Sequence, residues 1–93
     1  MYYRVTTYGF DESRFDEFME LADSLRDDLR NIEGLEMIHS CKADKGEGMI
    51  IARYDSEESA TAAQPKVREI LGQMAGFMTS QPEIKGGNVI WEL

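Results

Sequence analysis

The stretch MIIARYDSEE, residues 49–58, decides how this chain folds. Its first six residues, Met49 to Tyr54, are mostly apolar on both alternating faces, which predicts a strand buried on both sides in the middle of a sheet. The residues that follow suit a helix start, because Asp55 or Ser56 can accept a hydrogen bond from a free N–H group of the first turn. The sequence therefore predicts a central strand that passes directly into a helix, with Tyr54 at the seam between sheet and helix.

Three further strands are predicted by runs of residues rich in β-branched and aromatic side chains. They cover Tyr2–Tyr8, Leu35–Lys42 and Asn88–Leu93. The polar, glycine-containing segment 43–48 predicts a hairpin between the second strand and the central one.

Two helices are predicted from apolar residues spaced three and four apart. The first is capped by Asp11 or Ser13, runs to about Asn31, carries Phe18 on its apolar face and has Gly34 as its left-handed cap. The second follows the central strand and contains Pro65, which lacks an N–H group and clashes with the preceding turn. We therefore expect a kink or a restart at Pro65, with Met74 on the apolar face of the second piece.

The predicted order of elements is βαββαβ, in one domain that covers residues 1–93. With right-handed crossovers, this order gives an α+β, ferredoxin-like fold with a four-stranded antiparallel sheet and both helices on one face. The strands carry bulky residues on both faces, and an uncovered apolar sheet face would be a large exposed patch. We therefore expect a homodimer in which two sheets pack face to face.

Composition excludes several classes of partner. The net charge of −8 argues against nucleic acid and against an anionic membrane, because both need a basic surface. No run is long and apolar enough to span a bilayer, and residues 1–6 do not resemble a secretion signal. The single cysteine, Cys41, excludes an internal disulfide, and we expect a cytoplasmic protein.

The stretch IIARYDSEE at 50–58, together with the closing GNVIWEL at 87–93, resembles the dimeric α/β-barrel superfamily, and within it the antibiotic biosynthesis monooxygenase (ABM)-like branch. The resemblance covers the whole chain. It implies a ligand cavity within each subunit, between the sheet and the helices. It also implies either oxygenation of phenolic or quinol-like polycyclic substrates without a cofactor, or degradation of heme.

The heme-degrading members of that branch use an Asn on the first strand, a Trp at the end of the third strand and a His on the second helix. Here the first strand has no Asn, Tyr54 stands at the Trp position, and the second helix has no His. The resemblance therefore favours a small aromatic ligand and chemistry without a cofactor. No cluster of His, Cys or carboxylate residues with metal-ligand spacing is visible, so no metal is expected.

Candidate site residues follow from residue chemistry. His39, the only histidine, and the phenol of Tyr54 are the candidate catalytic residues, because either could handle a proton. Trp91 could line a flat pocket beside Tyr54, and Arg53 could hold an oxyanion. The expected ligand-binding set is Arg53, Trp91, Phe18 and Met74.

Each candidate has a structural alternative. A lone histidine is more often satisfied by a local partner than catalytic, and Tyr54 and Trp91 also fit ordinary core packing. Arg4 and Arg53 lie near strand centres, and a buried arginine needs either a carboxylate such as Glu92 or an anionic ligand group. A salt bridge within or between subunits is the favoured interpretation of both arginines.

Two hypotheses for function result. The first is a homodimeric ABM-like protein with an apolar cavity for a small aromatic or polycyclic molecule, acting as a cofactor-independent monooxygenase. The second is a non-catalytic dimeric binding or assembly domain. Alternation does not fix which face of each strand meets the helices, so the faces that carry His39 and Arg53 stay open at this point.

Overall fold

A computed structural model describes residues 1–93, and it confirms the α+β, ferredoxin-like fold. The elements are β1 Tyr2–Gly9, α1 Phe15–Ser24, α2 Arg26–Arg30, β2 Leu35–Asp44, β3 Glu47–Tyr54, α3 Glu57–Gly72 and β4 Glu83–Asn88, with single 3₁₀ turns at Glu12–Arg14 and Ala75–Phe77. The four strands form one antiparallel sheet in the order β2-β3-β1-β4, so the strand of the deciding stretch is central as predicted.

The two faces of the sheet differ in burial. On one face, called the inner face below, β3 places four buried residues in succession: Gly48, Ile50, Ala52 and Tyr54. These residues pack with the helices, and β1 adds Tyr2 opposite Tyr54 and Tyr8 opposite Gly48. The other face, the outer face, carries partly buried pairs such as Val5 opposite Ile51 and has no helix on it.

An aromatic cluster joins α1 to the sheet. Phe18, which is 1% exposed, has its ring centroid 5.6 Å from that of Phe10, 5.9 Å from that of Tyr8 and 5.3 Å from that of Phe77. Pairs at these separations add about 0.5–1.5 kcal/mol each beyond the burial of their surface. Phe18 is therefore the side chain through which the first helix is held on the inner face.

The first predicted helix is interrupted at Leu25, where a single helix over 11–31 was expected. The Ser24 hydroxyl donates a 2.6 Å hydrogen bond to the Leu21 carbonyl, which the Leu25 N–H also contacts, at 3.2 Å. The Leu25 N–H is shared with the Ala22 carbonyl at 3.1 Å, so the turn tightens there. A serine side chain inside a helix can compete for backbone hydrogen bonds in this way. The helix α1 ends at Ser24, and the next residue, Leu25, is buried in the core.

Pro65 does not restart the second predicted helix. The helix α3 is continuous over Glu57–Gly72, and Pro65 is on its exposed side. The carbonyl four residues earlier belongs to Thr61, which is also exposed, so water can replace the hydrogen bond that proline cannot donate. No helix in the structure is long and apolar enough to cross a membrane.

The last strand lies earlier than the predicted Asn88–Leu93. The strand β4 pairs with β1 from Glu83 opposite Thr7 to Asn88 opposite Tyr2, which is the first residue of β1. One backbone hydrogen bond, from the Val89 N–H to the Met1 carbonyl, follows. The register thus ends the sheet at Asn88, and residues 89–93 extend past it.

Candidate functional site

A half-open cavity of about 460 Å³ lies between the inner face and the helices α1 and α2, on the β2 side of the sheet. Its volume is within the range of small-molecule sites, and its lining is mostly apolar, which is also typical of such sites. The apolar lining residues are Met19, Ala22, Leu25, Leu29, Leu35, Met37, Ile38, Ile50, Leu71 and Met74.

Tyr8 supplies the buried polar group of the cavity. Its side chain is 8% exposed, and burial raises the pKa of its phenol above the usual 10.0. The phenol makes no side-chain hydrogen bond within the chain, so its hydroxyl is free to bond a ligand. Ser40 on β2 adds a second hydroxyl-bearing residue to the lining.

Gly48 fixes the position of Tyr8. The two residues are opposite each other across the β1–β3 ladder, and a Cβ atom at position 48 would lie 2.4 Å from the Cζ atom of Tyr8. Real Cβ atoms do not approach another atom so closely, so the Tyr8 ring lies over Gly48 only because that residue has no side chain. The edge of the Tyr8 ring also packs against Phe18.

Four charged side chains line the cavity, and each has a partner of opposite charge. They are Asp23, Arg26, Arg30 and Glu36. Arg26 forms an ion pair with Asp23 at 2.7 Å, and Glu36 accepts a 3.1 Å hydrogen bond from Arg53. Arg30 is paired with Asp27 at 3.6 Å. Because each of these charges has a partner of opposite sign, the cavity offers no concentrated charge to a ligand.

The structure separates the two predicted catalytic residues. His39 is exposed on the outer face, opposite Ile51, whereas Tyr54 is on the inner face and 2% exposed. Tyr54 is not among the residues that line the cavity. A sheet therefore lies between His39 and Tyr54, and they cannot act on one ligand within one subunit.

The four predicted ligand-binding residues are also dispersed. Met74 lines the cavity, while Phe18 is packed behind Tyr8 as part of the core. Arg53 is on the outer face, where Glu36 is its partner. Trp91 follows β4 and is 75% exposed.

Sequence reasoning missed Tyr8 as the cavity phenol. Tyr8 and Tyr54 lie on the same sheet face, and only the pairing register shows that Tyr8 stands at the cavity end of β1. The available signal was Gly48: a glycine in a strand often marks a position where another group approaches closely. An aromatic residue opposite Gly48 on a neighbouring strand, such as Tyr8, would then have been a candidate for the group that approaches it.

A second group of polar side chains lies at the other end of the inner face. Tyr2 and Tyr54 are opposite each other, and Arg4 is next to them on β1. Burial raises the pKa of Tyr54, while the positive charge of Arg4 acts in the opposite direction.

No group of three or more His, Cys, Asp or Glu side chains is placed to hold a metal ion.

The fold is that of the ABM proteins. It superimposes on a monooxygenase, ActVA-Orf6 of Streptomyces coelicolor, in complex with the ligand nanaomycin D, with a TM-score of 0.79, 16% identity and coverage of 99% of this chain and 89% of that one. An antibiotic biosynthesis monooxygenase gives a TM-score of 0.76, 10% identity and coverage of 97% and 99%. A conserved protein from Methanosarcina mazei Go1 gives 0.77, 17% identity and coverage of 94% and 91%.

No protein-family model and no curated protein matches the sequence. The similarity thus lies in the arrangement of the chain in space, and it establishes the ABM-like fold.

Proposed function

We propose that this protein binds a small aromatic or polycyclic hydroquinone in the cavity and oxygenates it with O₂, without a cofactor. The observation that carries the proposal is an apolar cavity of about 460 Å³ that contains one buried phenol, Tyr8, with no hydrogen-bond partner in the chain. A flat aromatic ligand would replace water on the apolar walls, and its oxygen would bond the free hydroxyl. The ABM fold, which some monooxygenases share, supports the same chemistry.

The reaction balances without any other oxidant or reductant. The hydroquinone supplies all the electrons, one atom of O₂ enters the ring as a hydroxyl group, and the other leaves as water, so that the product is the hydroxyquinone. Tyr8 is protonated near neutral pH, as any ordinary phenol is, and burial raises its pKa further, so its role is to donate a hydrogen bond to the oxygen on which negative charge develops. The apolar lining keeps bulk water away from the reacting ring.

The proposal includes a homodimer that forms through the outer face. The centre of that face carries Val5, Met49 and Ile51, which are partly exposed and have no helix over them. A second copy of the sheet would cover these residues, whereas water would otherwise contact them.

The test uses naphthohydroquinone and isotopically labelled O₂, with the product analysed by mass spectrometry. Spontaneous oxidation gives the unlabelled quinone and labelled H₂O₂, so catalase is present, and labelled hydroxyquinone in excess of a reaction without the protein reports the enzyme. Tyr8→Phe should lower kcat by about 100-fold, as expected for loss of a hydrogen-bond donor to the oxygen on which charge develops. Tyr54→Phe, which removes a phenol from the same sheet face but outside the cavity, is the matched control and should retain activity. Labelled product formed equally fast by Tyr8→Phe would contradict the role of Tyr8.

A non-catalytic binding domain is the second candidate function. The observation that favours it is a cavity lining without any histidine, asparagine or tryptophan. In that case, naphthohydroquinone would raise the Tm without any labelled product, and Tyr8→Phe would weaken this stabilisation.

A further inference from the structure

Two of the six arginines, Arg4 and Arg53, are partly buried, and their partners differ. Arg53 forms an ion pair with Glu36 at 3.1 Å on the outer face. Arg4 is on the inner face and forms none of the chain's ion pairs, so no carboxylate oxygen lies within 4.0 Å of its nitrogens. The predicted salt bridge of Arg4 is therefore absent, and because no Arg4 nitrogen is buried without a partner, its guanidinium can be reached from solvent.

Hydrogen bonding within the chain does not satisfy Arg4 either. Its one side-chain contact runs from Nη2 to the Tyr2 hydroxyl at 3.5 Å, which is long for a hydrogen bond, and its Cζ atom lies 5.6 Å from the centroid of the Tyr2 ring. The remaining N–H groups of the guanidinium are unused and are arranged as a planar fork. Arg4 therefore retains the donors that match a carboxylate.

Two buried phenols lie beside Arg4. Tyr2 is 6% exposed, Tyr54 is 2% exposed, and they are opposite each other in the β1–β3 ladder, one pair along from Arg4 opposite Ala52. The Tyr54 hydroxyl, like that of Tyr8, makes none of the chain's side-chain hydrogen bonds. Arg4 is close enough for its charge to lower the pKa of Tyr54 against the effect of burial. A phenol that makes no hydrogen bond within the chain thus stands next to an arginine that has no ion-pair partner.

No acidic side chain of the chain fills this gap. Glu57 reaches the same end of the sheet, but it accepts a hydrogen bond from Asn88 at 3.4 Å and is not paired with Arg4. Glu92, the partner expected from the sequence, is exposed and forms no ion pair. No side-chain carboxylate of the chain is therefore paired with Arg4.

The edge strand β4 leaves this end of the inner face accessible. All six residues of β4 are exposed, so no helix covers them. Gly86 is opposite Arg4, and a Cβ atom there would lie 2.0 Å from the Tyr2 hydroxyl. The glycine therefore lets the Tyr2 hydroxyl extend to the edge of the sheet, where a ligand can arrive from solvent.

We propose that Arg4, with the hydroxyls of Tyr2 and Tyr54, forms a binding site for a small organic carboxylate on the inner face beside β4. A carboxylate accepts two parallel hydrogen bonds from the guanidinium fork and can accept another from a phenol, which satisfies all three groups at once. None of these three residues lines the 460 Å³ cavity, so the site is independent of the proposed oxygenase chemistry.

The test is a titration with benzoate that is monitored through the NMR signals of the arginine side chains and the backbone amides. Benzamide, which has the same ring and no charge, is the matched control ligand. Benzoate should shift the Arg4 Nε–H signal and the amides of Tyr2 and Tyr54 along a saturable curve, and benzamide should not. Absence of saturable shifts, or equal shifts with benzamide, would overturn the proposal without any variant.

Variants then show which arginine binds the benzoate carboxylate. Arg4→Gln should weaken benzoate binding about tenfold or more, as expected for a lost hydrogen bond between charged groups. Arg53→Gln removes the other partly buried arginine, on the opposite face, and should leave the affinity unchanged. If Arg4→Gln does not fold, Arg4→Lys keeps the charge without the planar fork and should also weaken binding.

Two outcomes separate this site from the cavity. Benzoate shifts confined to Tyr8 and Met74 would place the carboxylate in the cavity, which would overturn this proposal and leave the oxygenase hypothesis intact. Equal losses of affinity in Arg4→Gln and Arg53→Gln would indicate a general effect of net charge, and they would also overturn it.

Discussion

The two ends of the inner face have the same kind of side chain in different surroundings. At the cavity end, Tyr8 is surrounded by apolar residues, and burial alone accounts for its raised pKa. At the β4 end, Tyr54 is even more buried, but Arg4 acts on it with a positive charge. Burial makes both phenols poor acids, yet only the second lies beside a group that attracts an anion. The chemistry of a binding site is thus set by the neighbours of a residue more than by the residue itself.

Phe18→Ala should have the largest effect on stability, because it removes the aromatic contacts of α1 at the Tyr8 end of the inner face and leaves the Arg4 end unchanged. Phe18 contacts Tyr8, Phe10 and Phe77, and its truncation should lower the free energy of unfolding by about 3–5 kcal/mol. Urea unfolding followed by circular dichroism measures this. Phe15→Ala, at an exposed ring of the same helix, is the control and should cost far less. Equal losses in the two variants would contradict the central role of Phe18.

Gly48→Ala should damage the cavity end more subtly. The added methyl group would meet the Tyr8 ring at 2.4 Å, and overpacking of this kind lowers the free energy of unfolding by about 1–3 kcal/mol. Binding of naphthohydroquinone should weaken as well, because the Tyr8 ring must move. Gly72→Ala, where a methyl group meets nothing within 4 Å, should be neutral or stabilising. A variant at position 48 with unchanged Tm and affinity would show that Tyr8 does not depend on this glycine.

Gly86→Ala tests the β4 end in the same way. Its methyl group would meet the Tyr2 hydroxyl at 2.0 Å, and because the edge strand can shift, we expect a loss of about 1 kcal/mol, at the lower end of overpacking costs. Gly87→Ala, one residue further along the same strand, meets nothing within 4 Å and is the matched control. Benzoate binding should be lost in the first variant and kept in the second. Retained binding in Gly86→Ala would remove Tyr2 from the carboxylate site.

The smallest effect concerns alkaline pH. The pKa values of Tyr8 and Tyr54 are higher in the folded protein than the usual 10.0, so above about pH 10 the unfolded state releases protons more readily. Both phenols are fully protonated below that range, so stability is unaffected there and falls as the pH rises through the folded-state pKa values. Arg4→Gln should raise the pKa of Tyr54 further and leave that of Tyr8 unchanged, as measured by NMR of the ring signals. A shift of both would contradict the separation of the two ends.

Local sequence rules predicted the start of the helix after β3 and the left-handed turn before β2. The Ser59 N–H donates a 3.1 Å hydrogen bond to the Ser56 hydroxyl, one of the two predicted helix caps, and Gly34 has the predicted left-handed conformation at φ +84°. Each of these features depends on a few adjacent residues, so it could be predicted from local sequence. The strand β3 was expected to be buried on both faces, but within one chain only its inner face is buried, because the helices cover that face alone.

Features set by strand register could not be predicted. Alternation gives the period of a strand but not the face that meets the helices, so the sequence left the faces of His39 and Arg53 open. The end of β4 depends on where β1 begins, and GNVIWEL has better strand composition than the observed EIKGGN. The cavity phenol was missed for the same reason, because only the pairing of Tyr8 with Gly48 places it.

The two tyrosine–glycine pairs also constrain how this sequence can diverge. Tyr8 needs Gly48 and Tyr2 needs Gly86, because in each pair the ring occupies the volume that a Cβ atom would fill. A larger residue in place of either glycine costs least once its tyrosine has become smaller, so one order of changes is favoured. Descendants of this chain with a larger residue at position 48 or 86 should therefore carry a smaller residue at position 8 or 2.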